Sequence, residues 1–148
     1  MAIARAVDRR LFLLLERAHT RVFRDANNHL KSSIGLTVSQ GGALFFLNRH
    51  DGCRIGDLAV GIGLGAPAAT GLVDRMAKSG LVRRGAEKDD ARASRVYLTE
   101  KGRGLSGAVA DELKIFNDAI AHGFTDAEME TVYRFLTGLA RGDYEGKL

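Results

Sequence analysis

Apolar residues recur along the first segment at Val7, Leu11, Leu14, Ala18, Val22, Ala26 and Leu30, in steps of three and four that predict a helix. Phe12, Leu13 and Leu15 widen that face near its start. A stripe so broad implies burial on more than one side, which a small domain alone seldom offers a terminal helix. Packing against a second subunit is the natural answer. Lys31 to Leu36, with Ser32, Ser33 and Gly35, reads as a break. Thr37 and Gln40 then have the spacing of a capping box, in which each side chain satisfies a backbone amide of the other residue. The helix they open carries Val38, Leu44, Phe45 and Leu47 inward and ends near Asn48 to Gly52.

Ile55 to Ile62 is a short helix with Ile55, Leu58, Ala59 and Ile62 as its buried face, and Gly61, Gly63 and Gly65 crowd the turn after it. Pro67 suits the first turn of the next helix, where its missing N–H has no partner to lose. That helix runs from about Ala66 to Ser79, with Leu72, Val73 and Met76 inward and Gly80 as its stop. Two short helices across a glycine-bearing turn form a helix-turn-helix. The period then shortens. Leu81 to Arg84 and Arg95 to Leu98 alternate as strands do, and the polar, charged Gly85 to Ser94 suits a hairpin loop. Thr99 can cap a helix from Glu100 to about Ala121, with Leu105, Val109, Leu113, Phe116 and Ile120 as its stripe. Thr125 and Glu128 make a second capping box before a last helix bearing Met129, Val132, Phe135, Leu136 and Leu139. The order is α-α-α-α-β-β-α-α: a mainly α chain with a small β-hairpin wing. Residues 37–99 make the winged helix-turn-helix, and residues 1–36 and 100–148 a helical dimerisation region.

The 148 residues, 45% hydrophobic and 27% charged, suit one folded domain with an added dimerisation element. A single cysteine excludes an intramolecular disulfide framework and a cysteine-built zinc finger, so the chain reads as intracellular and cytoplasmic. No apolar run approaches the roughly 20 residues that span a bilayer. Leu11 to Leu15 is short and flanked by Arg9, Arg10 and Glu16, which fits neither a signal peptide nor a membrane anchor. Net charge is +4, and its placement matters more than its size. Arg49 to Arg103 holds eleven basic and seven acidic residues, while the remainder holds eleven of each. The whole excess thus lies in the central third. A positive field so concentrated suits a polyanion, because each neutralised phosphate releases condensed counterions. An acidic membrane surface or solubility alone would also account for it.

Leu64 to Met76 (LGAPAATGLVDRM), Gly80 to Arg84 (GLVRR), Asp90 to Arg92, and Val96 to Thr99 followed by Gly102 resemble the signature of MarR-type transcription regulators. That signature runs roughly T-R-x-x-D-R-L, G-L-V-x-R, D-R-R-x-x-x-V-x-L-T-x-x-G. The resemblance implies a homodimer with first, fifth and sixth helices intertwined and two winged lobes on adjacent major grooves of double-stranded DNA. Two-fold symmetry then implies a pseudo-palindromic operator with half-sites about one helical turn apart. In that setting Ala66, Ala68, Ala69 and Thr70 face the major groove, with the Thr70 hydroxyl and methyl available to a base edge. Arg75 is placed for phosphate or for a salt bridge with Asp74 or Asp90. Arg92 is the candidate for minor-groove insertion, and Asp90 for orienting the wing. Arg54, Arg83, Arg84, Lys88 and Arg95 complete the DNA-facing set as contacts that position without specifying. Gly71 stands where the family has arginine, and Ala91 replaces the first arginine of the wing pair. Direct readout is then expected to be thin, with weight on thymine methyls and DNA shape. Gly71 also costs the helix on the order of 1 kcal/mol relative to alanine.

The family resemblance further implies a small aromatic or anionic effector between the dimer helices and the winged lobe, with His19, Phe23 and Phe45 as candidate lining. Cys53 lies beside Arg54, which can lower a thiol pKa, so a thiol-based sensor stands as an alternative. His19 and His29 are ten residues apart rather than the four that lets two histidines share a metal, so no metal site is assigned. There is no phosphate loop with lysine and no Ser/His/Asp set at recognisable spacing, so no enzyme and no cofactor is expected. The function expected is a dimeric, sequence-specific, ligand-responsive DNA-binding regulator that acts as a repressor. Two rivals are a partner-binding dimer silent toward DNA, which the alanine- and glycine-rich helix allows, and a non-specific architectural binder.

Overall fold

A 24-residue helix, α1 (Leu11–Ile34), opens the part of the chain that the computed structural model describes, residues 9–86 and 94–147. Helix α1 runs through the expected break and ends at Gly35, whose φ of +71° only glycine adopts without strain. Ser32 and Ser33 therefore stay helical. The Thr37 capping box forms as expected. Thr37 Oγ1 accepts from the Gln40 N–H at 3.1 Å, and Gln40 Oε1 from the Thr37 N–H at 2.9 Å. It starts α2 (Val38–Arg49), and the Asn27 side chain accepts from the Val38 N–H at 2.8 Å, tying α1 to that start.

Next come β1 (Cys53–Arg54), α3 (Ile55–Ile62), α4 (Ala66–Lys78), β2 (Val82–Ala86) and β3 (Ser94–Leu98). The three strands form one antiparallel sheet in the order β1-β3-β2, with Cys53 opposite Val96 and Arg84 opposite the same residue on the other side. Strand β1 corrects the expected order, which contains only the hairpin. The turn between α3 and α4 is made by Gly63, at φ +69°, and the two helix axes bend by 106°, within the range of helix-turn-helix pairs. Helices α5 (Glu100–Ile120) and α6 (Asp126–Arg141) follow.

The chain divides into two compact units, one ending at Leu113 and the other beginning at Lys114. The core of the first is Leu44 and Leu47 of α2, Leu58 of α3, Leu72, Val73 and Met76 of α4, and Leu81, Val82, Val96 and Leu98 around the sheet. Val109 of α5 joins them because α2 has glycine at position 41; a Cβ there would stand 2.9 Å from the valine. Phe45, expected inward, is 40% exposed. Residues Gly41, Ala43, Leu44 and Leu47 take up the buried face of α2 instead. On α1 only Ala26 and Leu30 are buried, and Phe12 is 80% exposed. The second unit contains α6, opened by the expected capping box at Thr125 and Glu128, and no residue of that helix is buried. Val132, Phe135 and Leu136, three of the five residues of its apolar stripe, lie open to solvent.

Candidate nucleic-acid interface

Helix α4 positions the candidate reading surface. Its buried face is Ala69, Leu72, Val73 and Met76. With successive residues about 100° apart, the opposite face carries Pro67, Gly71, Asp74 and Lys78. Thr70 flanks it on one side, Ala68 and Arg75 on the other, and all except the half-buried Gly71 are exposed. Ala69 is the exception among the expected contacts. At 0% exposure it supports the helix from behind and cannot reach a base. Ala66, Ala68 and Thr70 are exposed as a groove contact requires.

The cations around this face differ in how far they are committed. Arg84 of β2 reaches back to α4 and pairs with Asp74 at 2.6 Å. The sequence offered Asp74 to Arg75; the strand's return path gives it to Arg84 instead, and Arg75 has no ion pair among the described residues. The Arg83 guanidinium lies 4.3 Å over the Tyr97 ring, a cation–π contact that holds it on the outer side of the sheet. Tyr97 is wedged between two glycines, since a Cβ at Gly52 or Gly85 would stand within 2.8 Å or 2.7 Å of its ring. Arg95 is half-buried and donates to the Gly52 carbonyl at 2.7 Å, so it ties β3 to the turn before β1. Arg54 is exposed at the N-cap of α3. Lys88, Asp90, Ala91 and Arg92 lie outside the described residues.

The sheet is anchored to the long helix by groups that carry no motif. Asp51 accepts from the Leu98 N–H at 2.7 Å through one carboxylate oxygen and pairs with Arg103 at 3.1 Å through the other. Thr99 Oγ1 donates to the Gly80 carbonyl at 2.5 Å and accepts from the Gly102 N–H at 3.1 Å. Lys101 Nζ closes the end of α4 on the Ser79 carbonyl at 2.9 Å.

A cavity of about 770 Å³ opens on the other side of α2. It brings together all three residues expected to line a pocket: His19 and Phe23 of α1 and Phe45 of α2. Phe46, Arg49, His50, Gly61 and Leu64 are also in its wall, and the Phe46 and His50 rings meet at a tilt with centroids 4.5 Å apart. Sequence reading misses Arg49 and His50, although both lie one turn beyond Phe45 and Phe46. Cys53 lies away from this wall. Burial, and then the negative charge of Asp57, push its thiol above the ordinary 9.0, against the expected lowering by Arg54. Among the described residues no three His, Cys, Asp or Glu side chains converge as metal ligands.

A helix-turn-helix backed by a small sheet, with its second helix exposed and cations beside it, defines a DNA-binding winged-helix protein. Residues 34–93 match the family model described as MarR family. The chain is 28% identical over 108 residues to the Bacillus subtilis HTH-type transcriptional regulator YfiV, covering 73% of this chain and 68% of that one. A probable transcriptional regulator from Pseudomonas aeruginosa is 27% identical, with a TM-score of 0.78 over 90% of this chain and 99% of its own. The repressor CouR, solved bound to a 23-mer DNA duplex, shares the fold at 24% identity, with a TM-score of 0.79 over 88% of this chain and 92% of its own. CouR from Rhodococcus jostii has also been solved bound to p-coumaroyl-CoA. The winged-helix region of this chain is thus similar to the MarR family, and the chain as a whole resembles HTH-type transcriptional regulators.

Proposed function

We propose that this protein is a homodimeric, sequence-specific repressor whose grip on a pseudo-palindromic operator is weakened by a small aromatic or anionic ligand. The observation that carries the reading is the α4 face, turned to solvent beside the cations of β2 while its opposite side forms the core. Thr70 faces a base edge, Arg54, Arg75 and Arg83 the phosphates, and Arg92, with Asp90 orienting it, the minor groove. Lys88 adds a phosphate contact from the wing.

The dimer reading rests on apolar surface that a single chain leaves wet. Leu11, Phe12 and Leu14 of α1, and Val132, Phe135 and Leu136 of α6, are all exposed. Each still exposes from about a third to four-fifths of its surface, and monomeric proteins rarely leave large apolar patches uncovered. Residues 1–36 and 100–148 thus serve as the dimerisation region, and residues 37–99 as the DNA-binding region. No single described helix is long and apolar enough to cross a membrane. The DNA partner sets the place of action as the cytoplasm.

The cavity supplies the control. Its volume is typical of small-molecule sites. Phe23, Phe45 and Phe46 offer ring faces, and Arg49 with His50 offers donors to an anion. The wall joins α1 to α2 and α3, so a ligand that prefers one spacing of these helices favours one placement of the lobe. By reciprocal linkage it then weakens DNA binding. Sedimentation equilibrium and mobility shift on the DNA upstream of the gene test this together. The expected result is a dimer that retards duplex at low salt and releases it on addition of an aromatic carboxylate. A monomer with no uptake of DNA overturns the reading.

A further inference from the structure

Near the middle of the exposed α4 face, Gly71 has no side chain of its own. Pro67 offers no donor there, Asp74 is a negative charge already paired with Arg84, and Lys78 lies two turns beyond Gly71, at the C-terminal end of the helix. The Arg75 guanidinium fills the vacancy. Side chains on a helix lean toward its N-terminus, and that of Arg75 folds back one turn until Nη1 lies 3.4 Å from where a Cβ of residue 71 would stand. Apart from the flanking residues and the helix's own backbone, nothing else comes within 4 Å of that point. Arg75 is exposed and has no ion pair among the described residues. A planar fork of donors thus sits at the middle of the face that enters the groove, while its backbone attachment stays at the edge.

We infer that Arg75 is the base-reading side chain of this regulator, taking a guanine through its O6 and N7 atoms, and that Gly71 is the gap that lets it reach. This replaces phosphate contact, the role suggested by its position one turn beyond Thr70. Arginine bidentate to guanine is the commonest specific contact in the major groove. The arrangement also compensates for the alanines at 66 and 68, which offer no hydrogen bonds. The inference rests on the DNA-binding function proposed above.

Selection of duplexes from a random pool by the full-length protein, repeated with three variants, separates the two. The wild type is expected to select a two-fold-symmetric site with one strongly preferred G·C pair in each half. Arg75→Lys keeps the charge but loses the fork. It is expected to erase most of a preference of about 5- to 150-fold at that pair with the salt dependence unchanged. Gly71→Gln leaves Arg75 in place and occupies its path, so the same pair loses its preference although the helix gains stability. Arg75→Ala is expected to remove the preference altogether. If Arg75→Lys and Gly71→Gln select the wild-type consensus, Arg75 touches phosphate and the inference falls while the DNA-binding function stands. If the wild type selects nothing, both fall.

Discussion

Replacing Gly102 by alanine is expected to break the joint between the sheet and α5, and the structure sets the size of the loss. Gly102 is buried in the first turn of α5, and a Cβ there would overlap the Leu81 carbonyl oxygen, with the carbonyl carbon at 3.0 Å and Leu98 Cδ2 at 3.3 Å. The oxygen cannot retreat. It accepts from the Thr99 N–H at 3.2 Å, and Leu81 is itself held by its own N–H to the Met76 carbonyl at 2.9 Å. Relief requires the start of α5 to move out. Overpacking of this kind costs about 1–3 kcal/mol. Losing the Thr99 N–H and Thr99 Oγ1 bonds adds about 1 kcal/mol each, and alanine's better helix propensity returns about 1 kcal/mol. The net is about 3 kcal/mol of destabilisation, read from the midpoint of urea unfolding at one fixed protein concentration, because dimer stability depends on it. Gly104→Ala is the control. It lies two residues along the same helix with nothing within 4 Å, and is expected to stabilise by about 1 kcal/mol. A Gly102→Ala protein within about 0.5 kcal/mol of wild type, the range of ordinary surface changes, would refute the reasoning.

Three further outcomes are expected. Asp74→Asn removes a negative charge from the α4 face and releases Arg84; it should tighten binding to random duplex and steepen the salt slope by up to about 0.9 per subunit, and an unchanged slope would show that Arg84 stays away from phosphate. Cys53, with its thiol pushed up by burial, should react with iodoacetamide at neutral pH more slowly than a free cysteine, and peroxide should leave DNA affinity unchanged; rapid alkylation would revive the sensor reading. Hydrogen bonds from Thr125 hold the Glu128 carboxyl below its ordinary 4.5, so its contribution is complete above that value and is lost as pH falls through the lowered one. Glu128→Gln should therefore remove part of the acid sensitivity of the α6 amides in hydrogen exchange, and identical acid profiles would contradict the cap.

How much of this is legible without a structure depends on whether the signal is local. Capping boxes declare two helix starts, at Thr37 and Thr125, because donor and acceptor lie three residues apart. The faces of α3 and α4 follow from their period, and Leu58, Leu72, Val73 and Met76 are buried as expected. Strand β1 is not legible, because two residues carry no period and the strand exists only through pairing with β3. Phe45 misleads because glycine at 41 and alanine at 43 let neighbouring elements close in, which moves the buried face of α2 toward small residues. The pairing of Asp74 with Arg84 depends on β2 folding back beside α4. Ala69 shows the same limit, since a motif names neighbours in sequence while only the helix face decides which of them can touch DNA. For the cavity the resemblance identifies three of the lining residues, and the fold adds Arg49 and His50.

The central claim is that α4, the sheet beside it and their cations form a DNA-reading head carried twice in a dimer. Fluorescence anisotropy of a labelled duplex, titrated with the protein across a series of salt concentrations, tests it most directly. The account requires saturation at two protomers per site, and log affinity falling linearly with log salt at a slope of about −0.9 for each phosphate contacted. A flat anisotropy trace at the lowest salt at which the protein stays folded, or saturation by a single protomer, would contradict it.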